Sequence, residues 1–212
     1  MASQQVNHPL FARFYARLSS GMEGAGVAER RDALLAGLTG SVIEVGAGNG
    51  LNFRHYPDTV TSVLAVEPEP HLRELARASA GEAKVPVTVT EGTAERLPAD
   101  DGSFDAAVAS LMLCSVADQA VALAEIRRVL RPGGELRFME HVSSDSSTQR
   151  LVQRLVDVGL WPICFGGCHA GRDTVAAIAG AGFTVKDVDR YLLPESRLWP
   201  TTPHALGIAV RA

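Results

Sequence analysis

The sequence predicts an α/β protein built on a doubly wound parallel sheet, and three observations carry that prediction. Ser41-Val42-Ile43-Glu44-Val45 is a short apolar strand that runs into Gly46-Ala47-Gly48-Asn49-Gly50, a glycine-rich turn after which a helix is expected to open. Residues 61–66 read as the next strand and deliver Glu67 about 20 residues after the turn, where a carboxylate in such a fold takes the hydroxyls of a ribose. Beyond these, strand-like and helical stretches alternate, as a parallel sheet ordered 3-2-1-4-5 requires.

The elements follow in order. Leu10, Phe11, Phe14, Tyr15 and Leu18 recur at helical spacing, and a second helical stretch covers 27–38. Both precede the first strand, so they either cover the open mouth of the ligand site as a lid, with Tyr15 facing the ligand, or pack on the sheet edge. Pro57 stops the segment after the glycine turn. Residues 69–81 form a helix, and 85–90 alternate like a strand in which Pro86 suits a first position or a sheet edge. The unbroken apolar run 106–110 suits a central strand buried on both faces. A helix over 117–130, the turn Arg131-Pro132-Gly133-Gly134 and a strand over 135–141 follow. The tail supplies a helix over 172–180 and strands over 183–193 and 203–211.

Composition narrows the class of partner. Apolar residues make up 46% of the 212 and charged ones 21%, the proportions of one ordinary globular domain. With a net charge of −4 and no Lys/Arg run, nucleic acid is not an expected partner. Three cysteines argue against a disulfide framework and for a reducing compartment. The first residues lack the basic head and apolar run of a signal peptide, and the longest apolar stretch, 106–113, is too short for a transmembrane segment. A cytoplasmic protein is expected; nothing sets its oligomeric state.

The glycine spacing selects among nucleosides. A dinucleotide fingerprint would place a third glycine at 51, where Leu51 stands; the third glycine comes one position early, at Gly50. Glu44-Val45-Gly46-Ala47-Gly48-Asn49-Gly50 instead resembles the first motif of class I S-adenosylmethionine-dependent methyltransferases, and Leu130-Arg131-Pro132-Gly133-Gly134 resembles a second. The resemblance implies a Rossmann-like seven-stranded sheet, 3-2-1-4-5-7-6 with strand 7 antiparallel. It implies a lid over 1–40 and a catalytic domain over 41–212, with S-adenosylmethionine as cofactor and S-adenosylhomocysteine as product. By the same resemblance Gly46, Ala47, Gly48, Asn49, Gly50 and Asn52 meet the methionine end and Glu67 and Pro68 the ribose. Thr93, Ala94 and Glu95 then meet the adenine, while Ser110, Leu111 and Tyr15 line the crevice.

Toward the C-terminus the motifs become more particular. Leu113-Cys114-Ser115-Val116, Phe138-Met139-Glu140-His141-Val142, Trp161, Gly167-Cys168, Arg172-Asp173-Thr174, Trp199 and Pro203-His204 resemble the small methyltransferases that methylate alkyl thiols in animal cells. Those proteins carry a hydrophobic N-terminal anchor where this sequence has the helix over 10–18, which argues against membrane attachment. A thiol, with a pKa near ~8.5, needs only mild help to lose its proton. His141, at the carboxyl end of the fifth strand, is the candidate base, and Cys114 the candidate neighbour of the sulfonium; either is also compatible with a purely structural role. Trp161, Cys168, His169, Arg172 and Trp199 are the expected acceptor contacts. Cys164, Cys168 and His169 fit no zinc spacing, so no metal is expected. The favoured function is methyl transfer to a small-molecule thiol. An O- or N-methyltransferase of a small metabolite or phospholipid amine headgroup, a non-catalytic cofactor-binding module and, less well supported, a dinucleotide oxidoreductase are the other readings.

Overall fold

The structure, a computed structural model, describes residues 9–159, 161–164, 166–193 and 201–212. Trp199 therefore lies outside the described residues. The chain begins with α1 (Pro9–Met22) and α2 (Val27–Leu35), which are followed by β1 (Gly40–Val45), β2 (Val60–Val66), α3 (Pro70–Ala80), β3 (Val87–Thr90) and β4 (Phe104–Ser110). After these come α4 (Gln119–Val129), β5 (Leu130–His141), α5 (Ser147–Asp157), α6 (Trp161–Cys164), α7 (Thr174–Gly180), β6 (Phe183–Leu193) and β7 (Thr202–Arg211).

The seven strands lie in the order β3-β2-β1-β4-β5-β7-β6, with β1 to β5 parallel and β7 antiparallel to both its neighbours. Because side chains alternate across a sheet, each strand feeds two cores. Ile43, Val45, Ala107, Ala109 and Phe138 point toward α4 and α7 with Leu123, Ile126 and Ile178. Val42, Val63, Val108 and Met139 meet Leu34, Leu35, Phe53 and Ala76 on the side of α2 and α3. Helix starts are set by carboxylate caps: Glu69 accepts from the Leu72 N–H, Asp118 from those of Ala120 and Val121, and Asp173 from that of Ala176. These caps explain why α4 and α7 begin two residues later than the sequence predicts.

Two local expectations are corrected. No α-helix opens after the glycine turn; a single 3-10 turn, Phe53–His55, takes its place. Pro57 leaves too little chain for a helix, and the fully buried Phe53 ring packs so closely on Gly50 that a Cβ there would lie 2.6 Å from it. Nor does the ladder of β5 begin at Glu135. It begins at Leu130, opposite Phe104, and the next pair is Ala106 with Glu135, so Arg131-Pro132-Gly133-Gly134 bulges from the strand. Helix α5 lies in a stretch to which the sequence assigned no element.

Candidate active site

The carboxyl ends of β1, β2, β4 and β5 gather the candidate residues. Gly46, Gly48 and Gly50 all have positive φ (69°, 57° and 79°), which glycine adopts without strain. Three of the turn's N–H groups are already taken: those of Gly46 and Ala47 donate to the Val66 carbonyl (2.9 and 3.1 Å), and that of Gly48 donates to Glu67 Oε2 (2.7 Å). With three donors consumed, the turn has no free nest of amides for a pyrophosphate. The chemistry of the donor set thus agrees with a ligand that lacks one.

Glu67 is buried at the end of β2, and its other oxygen accepts from the Glu69 N–H at 2.9 Å. Burial raises its carboxyl above the usual range, while these backbone donors favour the charged form. Each oxygen keeps lone-pair capacity for a hydroxyl donor. Tyr15 of α1 lies on Gly48, 3.5 Å from where a Cβ would stand, and Ser19 of the same helix accepts a hydrogen bond from Asn49. Burial pushes the Tyr15 phenol up to about 12; the charges of Glu67, Cys114 and Glu140 act the same way, and Arg31 opposes them.

Across the crevice, Ser110 Oγ is buried with no hydrogen-bond partner among the described residues, and Leu111 sits at φ 56°, a left-handed conformation unusual for a branched side chain. Both lie at the end of β4, where the sequence expects cofactor contacts, and an orphaned hydroxyl there fits a polar ligand. Thr93 pairs with Arg96 in the turn after β3, placing Ala94 in the core and leaving Thr93 and Glu95 half-buried. The Pro68 carbonyl accepts from Arg73.

Asn52 is placed differently from the sequence expectation. It is 2% exposed, donates to Glu44 Oε1 (2.9 Å) and accepts from Arg31 (2.6 Å), beneath the turn and not in the crevice. Glu44 also accepts from the Tyr56 hydroxyl at 2.7 Å. Burial pushes the Glu44 carboxyl up to about 7, against the pull of Tyr56, Asn52 and Arg31, with Glu67 adding to the rise. A folded-state value above the unfolded 4.5 means stability that is full below about pH 4.5 and is lost as pH rises through about 7. Glu44→Gln is therefore expected to flatten the fall in stability between pH 5 and 8 by about 3 kcal/mol. Urea unfolding of both proteins at the two pH values checks this; equal slopes would contradict it.

On the acceptor side, the fully buried Glu140 organises the loop after β4. Oε1 accepts from the Met112 and Leu113 N–H groups (3.0 and 2.9 Å) and Oε2 from that of Cys114 (3.1 Å). Burial raises its carboxyl, opposed by these three donors. Cys114, so placed, meets His141 and Cys168: the sulfurs are 3.6 Å apart, and His141 Nδ1 lies 3.6 Å from Cys114 and 3.5 Å from Cys168. The Cys168 thiol is held low by hydrogen bonds from Cys114 and His141 and by Trp161, against the cost of burial, and Cys114 is driven up correspondingly. Burial works against a charged His141, but the Cys168 sulfur together with the charges of Glu140 and Asp157 outweighs it and raises the ring.

The supports of this cluster are mostly polar backbone ties. His169 N–H donates to the Cys114 carbonyl at 2.8 Å, and Asp157 of α5 accepts from the N–H groups of Ala170 and Gly171. Gln153 of α5 donates to the carbonyls of Val142 and Ala170. Arg172 Nη1 donates to the carbonyls of Leu113 and Val116, so it clamps the loop after β4. His141 packs against His204 with the rings tilted (4.3 Å between centroids), and His204 stacks on Tyr191, over which Arg30 lies at 3.9 Å. Burial, and then the charge of His141, lowers His204 to about 3, so its ring is neutral, with Nδ1–H donating to the Thr202 carbonyl. Glu140, Gln153 and Asp157 were not singled out from sequence. Only the Met-Glu-His run around Glu140 offered a signal.

Taken together, the strand order and the residues at its carboxyl edge define a class I S-adenosylmethionine-dependent methyltransferase. The family described as "Methyltransferase domain" matches residues 43–138. Human thiol S-methyltransferase TMT1A is 36% identical over 176 residues, covering 81% of this chain and 70% of that protein, and human thiol S-methyltransferase TMT1B is 34% identical over 186 residues, covering 84% and 75%. The chain belongs to the family of these thiol S-methyltransferases. A solved S-adenosylmethionine-dependent methyltransferase from Thermotoga maritima superposes with a TM-score of 0.70 at 22% identity, covering 95% of this chain and 98% of that one, which speaks to the fold alone. Among the described residues no helix is long and apolar enough to cross a membrane.

Proposed function

We propose that this methyltransferase acts on a small molecule and transfers the methyl group to a thiol sulfur. S-adenosylmethionine, when bound, supplies a methyl already activated on a sulfonium, so the chain's residues have to bind, align and exclude water. In this reading Glu67 takes the ribose hydroxyls. The turn from Gly46 to Gly50 and Ser110 and Leu111 flank the rest, with Thr93, Ala94 and Glu95 on the adenine side. Helix α1 is the lid: Tyr15 rests on Gly48, and Phe11 packs on Gly166, two residues from Cys168, so one helix spans the cofactor turn and the acceptor loop.

The observation that carries the thiol reading is the cluster of Cys114, His141 and Cys168 at the crevice end of β4 and β5. These are the groups beside which an acceptor thiol would give up its proton, and the Trp161 side chain stands beside Cys168 as a hydrogen-bond partner. The names of the relatives agree with it. Formation of S-adenosylhomocysteine, measured against alkyl thiols, phenols, amines and phosphatidylethanolamine with a no-acceptor control, tests the reading. Turnover with alkyl thiols well above all other classes is expected. Turnover with amines or phenols alone would overturn the acceptor assignment, and none with any class despite cofactor binding would favour a binding module.

A further inference from the structure

We propose that Cys114, His141 and Cys168 form a binding site for one divalent metal ion of the zinc class, with an open fourth position that takes the acceptor thiol as thiolate. The chemical half of this proposal rests on the thiol reading above; the metal site itself does not.

The geometry carries it. A tetrahedral zinc ion with Zn–S of about 2.3 Å and Zn–N of about 2.0 Å sets two sulfur ligands about 3.8 Å apart and a sulfur and a nitrogen about 3.5 Å apart. The three edges here are 3.6 Å between the sulfurs and 3.6 and 3.5 Å from the sulfurs to Nδ1. All three ligand atoms lie within 4.8 Å of one another, on two buried cysteines and a half-buried histidine. Two thiolates and one imidazole are a borderline-soft donor set suited to zinc. Three protein ligands with a vacant fourth position is the pattern of a catalytic site, not a structural one.

The ligands are also held from behind, as metal ligands usually are. Glu140 fixes the backbone N–H of Cys114, the Cys114 carbonyl holds His169 beside Cys168, and the tilted His204 ring packs against the His141 ring. No local spacing announces such a site, because its members come from three segments 27 and 54 residues apart. The expectation of no metal had weighed a different trio, Cys164, Cys168 and His169. His169 turns its Nδ1 to the Gly167 carbonyl.

The chemistry balances simply. A thiol that coordinates the ion releases its proton to solvent and stays as thiolate. The thiolate sulfur forms the new bond to the methyl carbon as that carbon's bond to the sulfonium breaks, the electron pair remaining on the donor sulfur. The neutral thioether is a poor ligand and leaves.

The test is cobalt substitution in the full-length chain, reduced and stripped with a chelator, then titrated with Co²⁺. One equivalent per chain is expected, with the intense d–d and thiolate charge-transfer bands of a tetrahedral site. Cys168→Ala and Cys114→Ser should each abolish those bands, melting curves and S-adenosylhomocysteine binding reporting that the variants fold. Adding ethanethiol should shift the d–d bands. Binding of less than a tenth of an equivalent, or unaltered bands in both folded variants, would overturn the site. Full thiol turnover by the stripped, metal-free protein would overturn the metal's role while leaving the thiol reading intact. Stoichiometric cobalt with bands indifferent to thiols, together with no thiol turnover, would keep the metal site and sink the thiol acceptor.

Discussion

Glu67→Ala is expected to weaken S-adenosylhomocysteine binding by at least about 100-fold, close to 3 kcal/mol. Two losses add up at this position. The proposed acceptor for the ribose hydroxyls disappears, and the buried N–H groups of Gly48 and Glu69 lose the carboxylate that holds them at 2.7 and 2.9 Å. Each orphaned donor costs about 1–3 kcal/mol, so the turn relaxes out of the shape that fits the cofactor. Glu67→Gln separates the two. Its amide keeps one acceptor oxygen but turns an N–H₂ toward a backbone donor, so an intermediate loss of about tenfold is expected. Calorimetric titration of the three proteins, each shown by circular dichroism to be folded, checks the series. Affinities within threefold of one another would remove Glu67 from the site.

Glu140→Ala should be the most destabilising single change on the acceptor side. The carboxylate is fully buried and receives three backbone N–H groups, from Met112, Leu113 and Cys114. Removing it leaves all three without a partner in a water-free place, for a cost of about 3 kcal/mol or more, or about 6–12 °C in melting temperature for a chain of this size. Turnover should fall with it, since Cys114 is one of the three residues held. Glu140→Gln keeps an oxygen for Met112 and Leu113 but sets its amide nitrogen against the Cys114 N–H, and so should lie between. A melting temperature within 2 °C of wild type for Glu140→Ala would contradict this role.

Much of the fold was legible because it depends on local signals. The glycines at 46, 48 and 50 with Glu67 19 residues after Gly48 mark one end of the candidate site, and the unbroken apolar run in β4 announced a strand buried on both faces. Pro86 fell just before β3, the edge strand, as its missing N–H requires. What escaped was set by contacts distant in sequence. Helix α5 exposes its apolar side chains, Leu151, Val152 and Leu155, and buries the polar Gln153, the reverse of the pattern that marks a core helix. Asn52 had the right chemistry for a ligand carboxylate, but the buried Glu44 and Arg31 claim its amide. The clamp that Arg172 makes on the Leu113 and Val116 carbonyls depends on a contact across more than 50 residues, which no local pattern announces. The Cys114, His141 and Cys168 cluster could not be found by spacing, because only the meeting of β4, β5 and the loop after α6 brings it together.

The measurement that tests the account most directly is a crystal structure of the chain with S-adenosylhomocysteine and a small alkyl thiol. The account predicts the ribose on Glu67, Tyr15 over the ligand, and the thiol sulfur beside Cys114, His141 and Cys168. A cofactor bound away from Glu67, or a thiol seated away from that cluster, would contradict it.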